Sequence, residues 1–577
     1  MRVQHAHHRL TPALPGPQNH FAVYTRTRRR TRGAHPNLRR RRRMSSSLLP
    51  AEAHPLRARM SAAALALAVF ALYSVYSWLQ WRHYVVPSWD LGIFSQLAKA
   101  YASGQAPIVP IKGEGFNLLG DHFHPVTVLL TPFYWLWPAP ATLLYVQNGL
   151  VALSVYLLVR FAQRILALWA SLALGLAYAL SFGIQQAVAV QFHEVAFALP
   201  LLIMSLGYLA MTRLADAPAL LLRRAIYWAA PLVFVKEDVG ITVFVIGLVA
   251  LARTGWLSTA SSIAFPSASA PVRPRRERYR TLLRSWVNTP AVAEASLLML
   301  WGIVWPLLAI GLILPHFNTA GVFDYSDKLD IAAAIGDPLG AFAQLFYPWQ
   351  KTATLGLLLL TGVLAWTTSP LALISVPTLI WRFLSPQEGY WEPTWHYNLV
   401  LMPIVFTALL DVLARATART HVPAYQLGAA PAGRTVRTIF ATLRHRAPVA
   451  LPALALIVSL GFLPNQPLAQ LTDPDFVTTE LSTTDQMKAE AVAAIPEGAT
   501  VAADLSVLTY LVLNHAAYWI GHSGEPGPDY VLIDKLGSAW GGNPPTSAVA
   551  YATGRYGTAT YVHYRTIGSI DIAVRTR

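Results

Sequence analysis

The sequence predicts an all-α polytopic membrane protein of about eleven transmembrane helices, with a small α/β domain at its C-terminal end. Three observations predict it. Hydrophobic residues make up 54% of the 577 and charged ones only 13%, too apolar a balance for a soluble chain of this length. Apolar runs of bilayer-crossing length recur between Met60 and Leu463. After Leu463 they stop, and short β-rich segments separated by Gly and Pro turns begin.

The chain has a formal charge of +17 and no cysteine. Disulfides, thiolate metal sites and cysteine nucleophiles are thereby excluded. Most arginines fall in the first sixty residues and in two later loops. That distribution fits an anionic inner leaflet and the positive-inside rule, so no nucleic-acid partner is expected. The excess of Arg over Lys, with abundant Ala and Pro, points to a GC-rich bacterial genome and hence to a bacterial plasma membrane.

Residues 1–59 are Arg-, His- and Pro-rich without apolar periodicity and read as a disordered, basic cytoplasmic tail. Translation starting at Met44 would remove most of it. The first span is Met60 to Trp81, with Arg57 and Arg59 on its inner flank and Trp78 and Trp81 at its outer end. The N-terminus is then inside and residues 82–140 form the first external loop. Within that loop Leu91, Phe94, Ala98 and Tyr101 recur at helical spacing, as in an amphipathic helix on the membrane surface. Pro125 to Trp137 is apolar but too short to span.

Arginine placement orients the remainder. Ala141–Phe161 runs inward, Ile165–Ile184 outward and Val195–Met211 inward. Ala225–Leu251 carries Lys236, Glu237 and Asp238 in its middle, and reads as two short helices meeting at an outer turn. Glu294–Leu314 runs outward. Thr352–Leu384 breaks at Ser369-Pro370 into two spans. Tyr397–Leu413 runs inward and Pro448–Leu463 exits. Residues 60–463 thus form the membrane module, and 464–577 a soluble extracytoplasmic domain. The expected strands there are Ala499–Ala502, Ala517–Ile520, Tyr530–Ile533, Thr558–Tyr564 and Ile570–Val574, with a helix over Leu505–Leu513.

The arginines alone set this topology, yet every acid/His cluster lands outside. Such groups are costly near lipid and mark candidate sites. Asp90 would act as a base on an acceptor hydroxyl, a role worth ~10²–10⁴-fold, or merely cap the helix it begins. Asp121, His122 and His124 would bind a phosphate, or the two histidines with Asp90 a divalent cation, Mg²⁺ or Mn²⁺. Against that, H-x-H alone is a weak metal signal. His193 and Glu194, and Lys236 with Glu237 and Asp238, are candidates for holding a lipid phosphate and sugar hydroxyls; the alternatives are an interfacial pair and a self-neutralising turn. Glu392 and His396 complete the candidates, with Trp391, Trp395 and Tyr397 around them read as belt aromatics.

The segments W-D-L-G-I-F-S-Q, G-D-H-F-H-P, Q-F-H-E-V-A-F-A-L-P, K-E-D-V-G and H-Y-N-L-V-L-M-P-I, in this order, resemble a bacterial family of polytopic membrane proteins of unknown function grouped with the GT-C glycosyltransferases. The resemblance runs from about Trp78 to the C-terminus. It implies a GT-C-like helical module, a polyprenyl-phosphate-linked sugar as donor, and Asp90 as the base. Asp90 is followed by Leu91-Gly92, so the paired acidic motif of many GT-C enzymes is absent.

The expected activity is therefore an inverting sugar transfer on the extracytoplasmic face, with membrane lipids and a polyprenyl-phosphate-linked sugar as partners. A proton-coupled transporter or lipid flippase is the first alternative; it predicts ionisable groups through the membrane depth. A non-catalytic cell-envelope scaffold is the second.

Overall fold

The computed structural model describes residues 55–215, 218–264, 274–325, 331–420, 434–521 and 527–576. The basic tail and Met44 lie outside the described residues. Helix dominates, with one small sheet near the C-terminus.

Among the described residues six helices are long and apolar enough to cross a membrane: Pro55–Arg82, Pro140–Ala162, Glu194–Met211, Pro290–Phe317, Leu401–Ala418 and His445–Asn465. Two bent pairs raise the number to eight. Leu168–Ala179 meets Phe182–Ala189 at 42°, and Val239–Arg253 meets Trp256–Ala264 at 72°. The reading of about eleven spans exceeds this because three expected crossings are short or irregular. Ala219–Ala229 passes into a 3₁₀ turn at Pro231, Trp349–Thr361 has 13 residues, and Pro370–Leu384 begins as 3₁₀. Thirteen residues rise only ~20 Å against a hydrocarbon core of ~30 Å.

Two expected breaks occur where they were read. Lys236–Asp238 forms the turn between the 3₁₀ segment Ala230–Phe234 and helix Val239–Arg253. Ser369 is extended, with its side chain accepting from the Leu371 amide, and interrupts the run toward Leu384.

Helices Val239–Arg253 and Pro290–Leu308 cross through glycine. A Cβ at Gly302 would sit 2.5 Å from the Phe244 amide nitrogen and 2.6 Å from the Gly240 carbonyl oxygen, so the backbones touch with no room for a side chain. Gly302→Ala is expected to force the pair apart and cost about 1–3 kcal/mol, read as a lowered thermal midpoint in detergent.

The C-terminal sheet has five strands: β1 (Thr500–Ala503), β2 (Ala516–Trp519), β3 (Tyr530–Asp534), β4 (Tyr561–Ile567) and β5 (Ile570–Arg575). Their order is β2-β1-β3-β5-β4; the first three are parallel and the last two join as an antiparallel hairpin. All five coincide with expected strands to within three residues. The helix between β1 and β2 is Leu505–Leu511.

This sheet domain packs on helix Asp90–Ala102. Gln96 donates to the Ala517 carbonyl at 2.7 Å and accepts from the Ile111 amide. Lys99 donates to the carbonyls of Val512 and Leu513, and Trp89 meets Trp519 edge-on at 4.7 Å. The helix expected on the membrane surface is thus buried from Leu91 to Ala98. Its polar face is occupied by protein, not by water.

Candidate functional site

The ionisable residues gather at one end of the helical bundle because each stands where a helix begins or just before it. His193 and Glu194 precede Ala198–Met211, Lys236–Asp238 precede Val239–Arg253, and His396 precedes Leu401–Thr420. Asp90 opens helix Asp90–Ala102, and His122 follows the turn Leu118–Gly120. The first-loop segment meets the other two directly: Asp90 Oδ2 lies 3.5 Å from His193 Nε2, and His122 Nδ1 lies 2.7 Å from Glu237 Oε1.

Trp89, not Asp90, holds the cap position of this helix, and the Asp90 carboxylate, 29% exposed, faces His193. Burial opposes its charge, but His193, the Ser88 hydroxyl and Lys236 outweigh burial and hold the carboxyl down at about 2.

His193 is fixed from both sides. Its Nδ1 faces the Gln191 carbonyl at 3.2 Å, and its backbone amide donates to Gln147. A carbonyl only accepts, so Nδ1 carries a proton. Nε2 points toward the Asp90 carboxylate at 3.5 Å without completing a hydrogen bond. His396 stacks on this ring, centroids 3.6 Å apart. Two charges ~4 Å apart repel by about 4 kcal/mol at an effective dielectric of ~20, so one ring of the pair stays neutral. Burial, then His193, Lys236 and Arg382, push His396 well below its ordinary range. Gln191 and Trp395, just ahead of the two histidines, have φ of 72° and 63°, a left-handed conformation that the surroundings must enforce.

A second pair of contacts lies alongside. Lys236 Nζ meets Glu194 Oε1 at 2.9 Å; burial works against its charge, but Glu194, Glu237 and Asp238 hold it well above the usual lysine range. Glu237 also accepts from the Phe123 amide at 2.9 Å. Despite burial, His122 and Lys236 hold the Glu237 carboxyl down at about 2. Its folded value is depressed below the ordinary 4.5, so the stability it supplies is present above pH about 4.5 and lost as pH falls toward 2. Glu237→Gln is expected to be less stable at neutral pH and to flatten the acid limb of the unfolding profile.

Asp121 is shared by Lys112 Nζ at 3.3 Å and the Tyr325 hydroxyl at 3.0 Å, and Tyr325 stacks on His122 at 4.3 Å.

A cavity of about 40 Å³ opens beside these groups, large enough for several water-sized atoms. Its polar wall is Lys236, Asp238, Arg382, His396 and Tyr397; Val195, Leu202, Val239, Val400 and Ile404 supply apolar walls. Three of its lining residues carry buried polar atoms without hydrogen-bond partners: Asp238 Oδ1, Trp381 Nε1 and His396 Nδ1. Burial, helped by Glu237 and opposed by Lys236, raises the Asp238 carboxyl to about 6.

The other candidates lie as follows. His124 stands edge-on to Phe94 and within 3.5 Å of the Thr127 hydroxyl, with Glu194, His122, Glu237 and Lys236 close enough to act on its charge. Glu392 accepts from Thr394 and lies apart from the ion pairs. Asp90, His122 and His124 do not form one cation site, since the first serves His193 and the second Glu237; among the described residues no three His, Asp or Glu side chains are grouped to hold a metal ion. Of the aromatics read as a belt, Trp391 is buried against Lys351 and Tyr397 lines the cavity.

Arg382 escaped the sequence reading. It is 1% exposed and donates to the Tyr390 and Tyr397 carbonyls and to Asn398 Oδ1. The signal for it was an arginine at the span end that the arginine rule had assigned to the outside, where that rule expects none.

Residues 82–561 match the family described as "Predicted membrane protein (DUF2079)". The chain belongs to this family. The matched region contains every residue of the cluster and runs into β4. Among curated proteins nothing matches. Two solved structures are similar at low overlap. The crystal structure of ArnT from Cupriavidus metallidurans, bound to undecaprenyl phosphate, has 11% identity and a TM-score of 0.43, covering 88% of this chain and 97% of that one. The archaeal oligosaccharyltransferase AglB from Archaeoglobus fulgidus, in complex with an inhibitory peptide and a dolichol-phosphate, has 13% identity and a TM-score of 0.33, covering 89% and 74%. Overlaps this low carry no weight for the chemistry of this family member.

Proposed function

We propose that this protein transfers a sugar from a polyprenyl-phosphate-linked donor to an acceptor at the extracytoplasmic face of a bacterial plasma membrane. The observation that carries the reading is the residue types lining the cavity, which suit the donor's three chemical parts; at about 40 Å³ the cavity is smaller than the donor and has to open to admit it. Lys236 and Arg382 are buried cations suited to a phosphate. Asp238 Oδ1 and Trp381 Nε1, one acceptor and one donor, suit sugar hydroxyls. Val195, Leu202, Val239, Val400 and Ile404 suit the first isoprene units.

The motif resemblance to GT-C glycosyltransferases supports the same donor class and the same end of the bundle. In this reading about eleven spans leave the N-terminus inside and residues 464–577 outside. Asp90, with His193, positions the reacting groups, while His122 and Glu237 fasten the first loop against the Lys236 turn. The ligand sets found here give no step to Mg²⁺ or Mn²⁺.

The test is transfer by purified protein in liposomes from radiolabelled polyprenyl-phosphate sugars. Label is expected to leave the donor lipid, and Lys236→Met to stop it. Label that crosses the bilayer still attached to its lipid would favour a flippase. Retention by binding alone would favour a scaffold.

A further inference from the structure

We propose that helix Arg275–Val287 lies on an anionic lipid surface at the end of the bundle far from the cavity, with its arginines against lipid phosphates and an apolar row among the first acyl carbons. The inference is independent of the transfer reaction. Helix Val239–Arg253 starts at the Lys236 turn and carries the chain away from the cavity. At its far end the chain bends by 72° into Trp256–Ala264, and Arg275–Val287 comes just before the span Pro290–Phe317. In the topology proposed above this end meets the cytoplasmic leaflet, the anionic one.

One face of the helix is fastened to protein. Arg278 donates to the Ala264 carbonyl at 3.1 Å, Ser285 accepts from Trp256 Nε1 at 3.1 Å, and Trp286 donates to the Ser296 hydroxyl at 3.0 Å. The opposite face is exposed and has two rows. Tyr279, Leu283 and Val287, spaced four apart, are 72%, 62% and 58% exposed. Arg276, Arg280 and Arg284, also spaced four apart, form an exposed row beside them. The helix carries five arginines against one acid, Glu277. Like charges four residues apart repel, and an apolar row in water goes unburied. An anionic phospholipid surface relieves both at once.

Depth favours lipid over a protein partner. Ser296 lies in the second turn of helix Pro290–Leu308, roughly 9 Å from its start. Trp286 therefore holds the helix beside the first turns of a span, not beyond its end. Just before Ser296, Glu294 pairs with Arg223, both partly exposed, as charged groups do where a span meets the headgroups. Trp256 and Trp286 stand at the same level, where interfacial tryptophans gather. A protein partner would have to reach into a layer that lipid already fills.

The experiment uses the full-length protein in nanodiscs, and its lack of cysteine lets a single nitroxide report. Leu283→Cys carries the label on the apolar row. Leu536→Cys, on the exposed surface of the sheet domain, is the aqueous reference. With phosphatidylglycerol mixed into phosphatidylcholine, the label at position 283 should collide with dissolved oxygen and be shielded from a water-soluble nickel chelate. The label at position 536 should do the reverse. In phosphatidylcholine alone, or with Arg276→Gln, Arg280→Gln and Arg284→Gln together, the ratio of oxygen to nickel accessibility at 283 should fall at least tenfold, since each arginine at an anionic surface contributes about fivefold. The lipid comparison changes no arginine, so it decides even where the triple variant misfolds. A label open to nickel in every lipid would put the helix in water and overturn the proposal. So would a label shielded from both reagents, which means that protein covers the row. Equal depth with and without phosphatidylglycerol would overturn it too, since the arginines would then meet no anionic surface.

Discussion

Asp90→Asn lowers sugar transfer by about 10²-fold or more while the protein still inserts and binds donor lipid. The amide is nearly isosteric with the carboxylate but brings no charge to the His193 ring, whose Nε2 lies 3.5 Å away and has no hydrogen-bond partner. Lys236 and Arg382, proposed above to hold the donor's phosphate, keep their places in the cavity wall. The effect should therefore fall on kcat and spare donor KM, as measured by transfer assays at saturating and limiting donor. A variant that keeps full kcat would remove Asp90 from the chemistry altogether.

The second large effect lies at the other end of the bundle. Asp411→Asn is expected to destabilise the protein by about 3–5 kcal/mol, the cost of breaking a buried ion pair from one side. Asp411 is fully buried and lies within 3.1 Å of Arg213, 2.7 Å of Arg253 and 3.7 Å of Arg415; Ser369 also donates to it at 2.8 Å. Arg213 follows Ala198–Met211, Arg253 ends Val239–Arg253, and Ser369 precedes the run to Arg382. The same elements present His193, Lys236–Asp238, Arg382 and His396 at their opposite ends. Fifteen residues separate His396 from Asp411 along the chain, roughly 20 Å at a helical rise. One carboxylate thus holds three helix ends in register for a site it never touches. Thermal denaturation in detergent at a fixed scan rate reads the loss. Arg415→Gln, at the longest distance, should cost much less.

The sequence reading reached furthest where a single local rule applied. Short β-rich segments separated by Gly and Pro turns located the five strands of the described sheet. A charged triplet in an apolar run marked the turn at Lys236. Clustered acids and histidines, all assigned to one side by arginines they did not include, proved to be neighbours.

What it could not reach depended on contacts far apart in the chain. Helix Asp90–Ala102 has the pattern of a membrane-surface helix, but its polar Gln96 and Lys99 are met by backbone carbonyls more than 400 residues later. His122 and His124 stand two residues apart in one motif, yet one pairs with Glu237 and the other meets Phe94 edge-on. Nothing local distinguishes them, because the distinction is made by Glu237 and Phe94. Arg382 was masked by its setting in an apolar run, where burial is compensated by three carbonyl-type acceptors. Eleven spans go beyond the six to eight helices long and apolar enough among the described residues, because the chain between Trp349 and Leu384 spends part of its length in 3₁₀ turns.

The most direct measurement is the binding of a polyprenyl phosphate without sugar, titrated into purified protein in nanodiscs and compared with Lys236→Met. Saturable binding weakened at least tenfold by the substitution is the predicted result. Equal binding by both proteins, or none by the wild type, would contradict a lipid-phosphate site in this cavity.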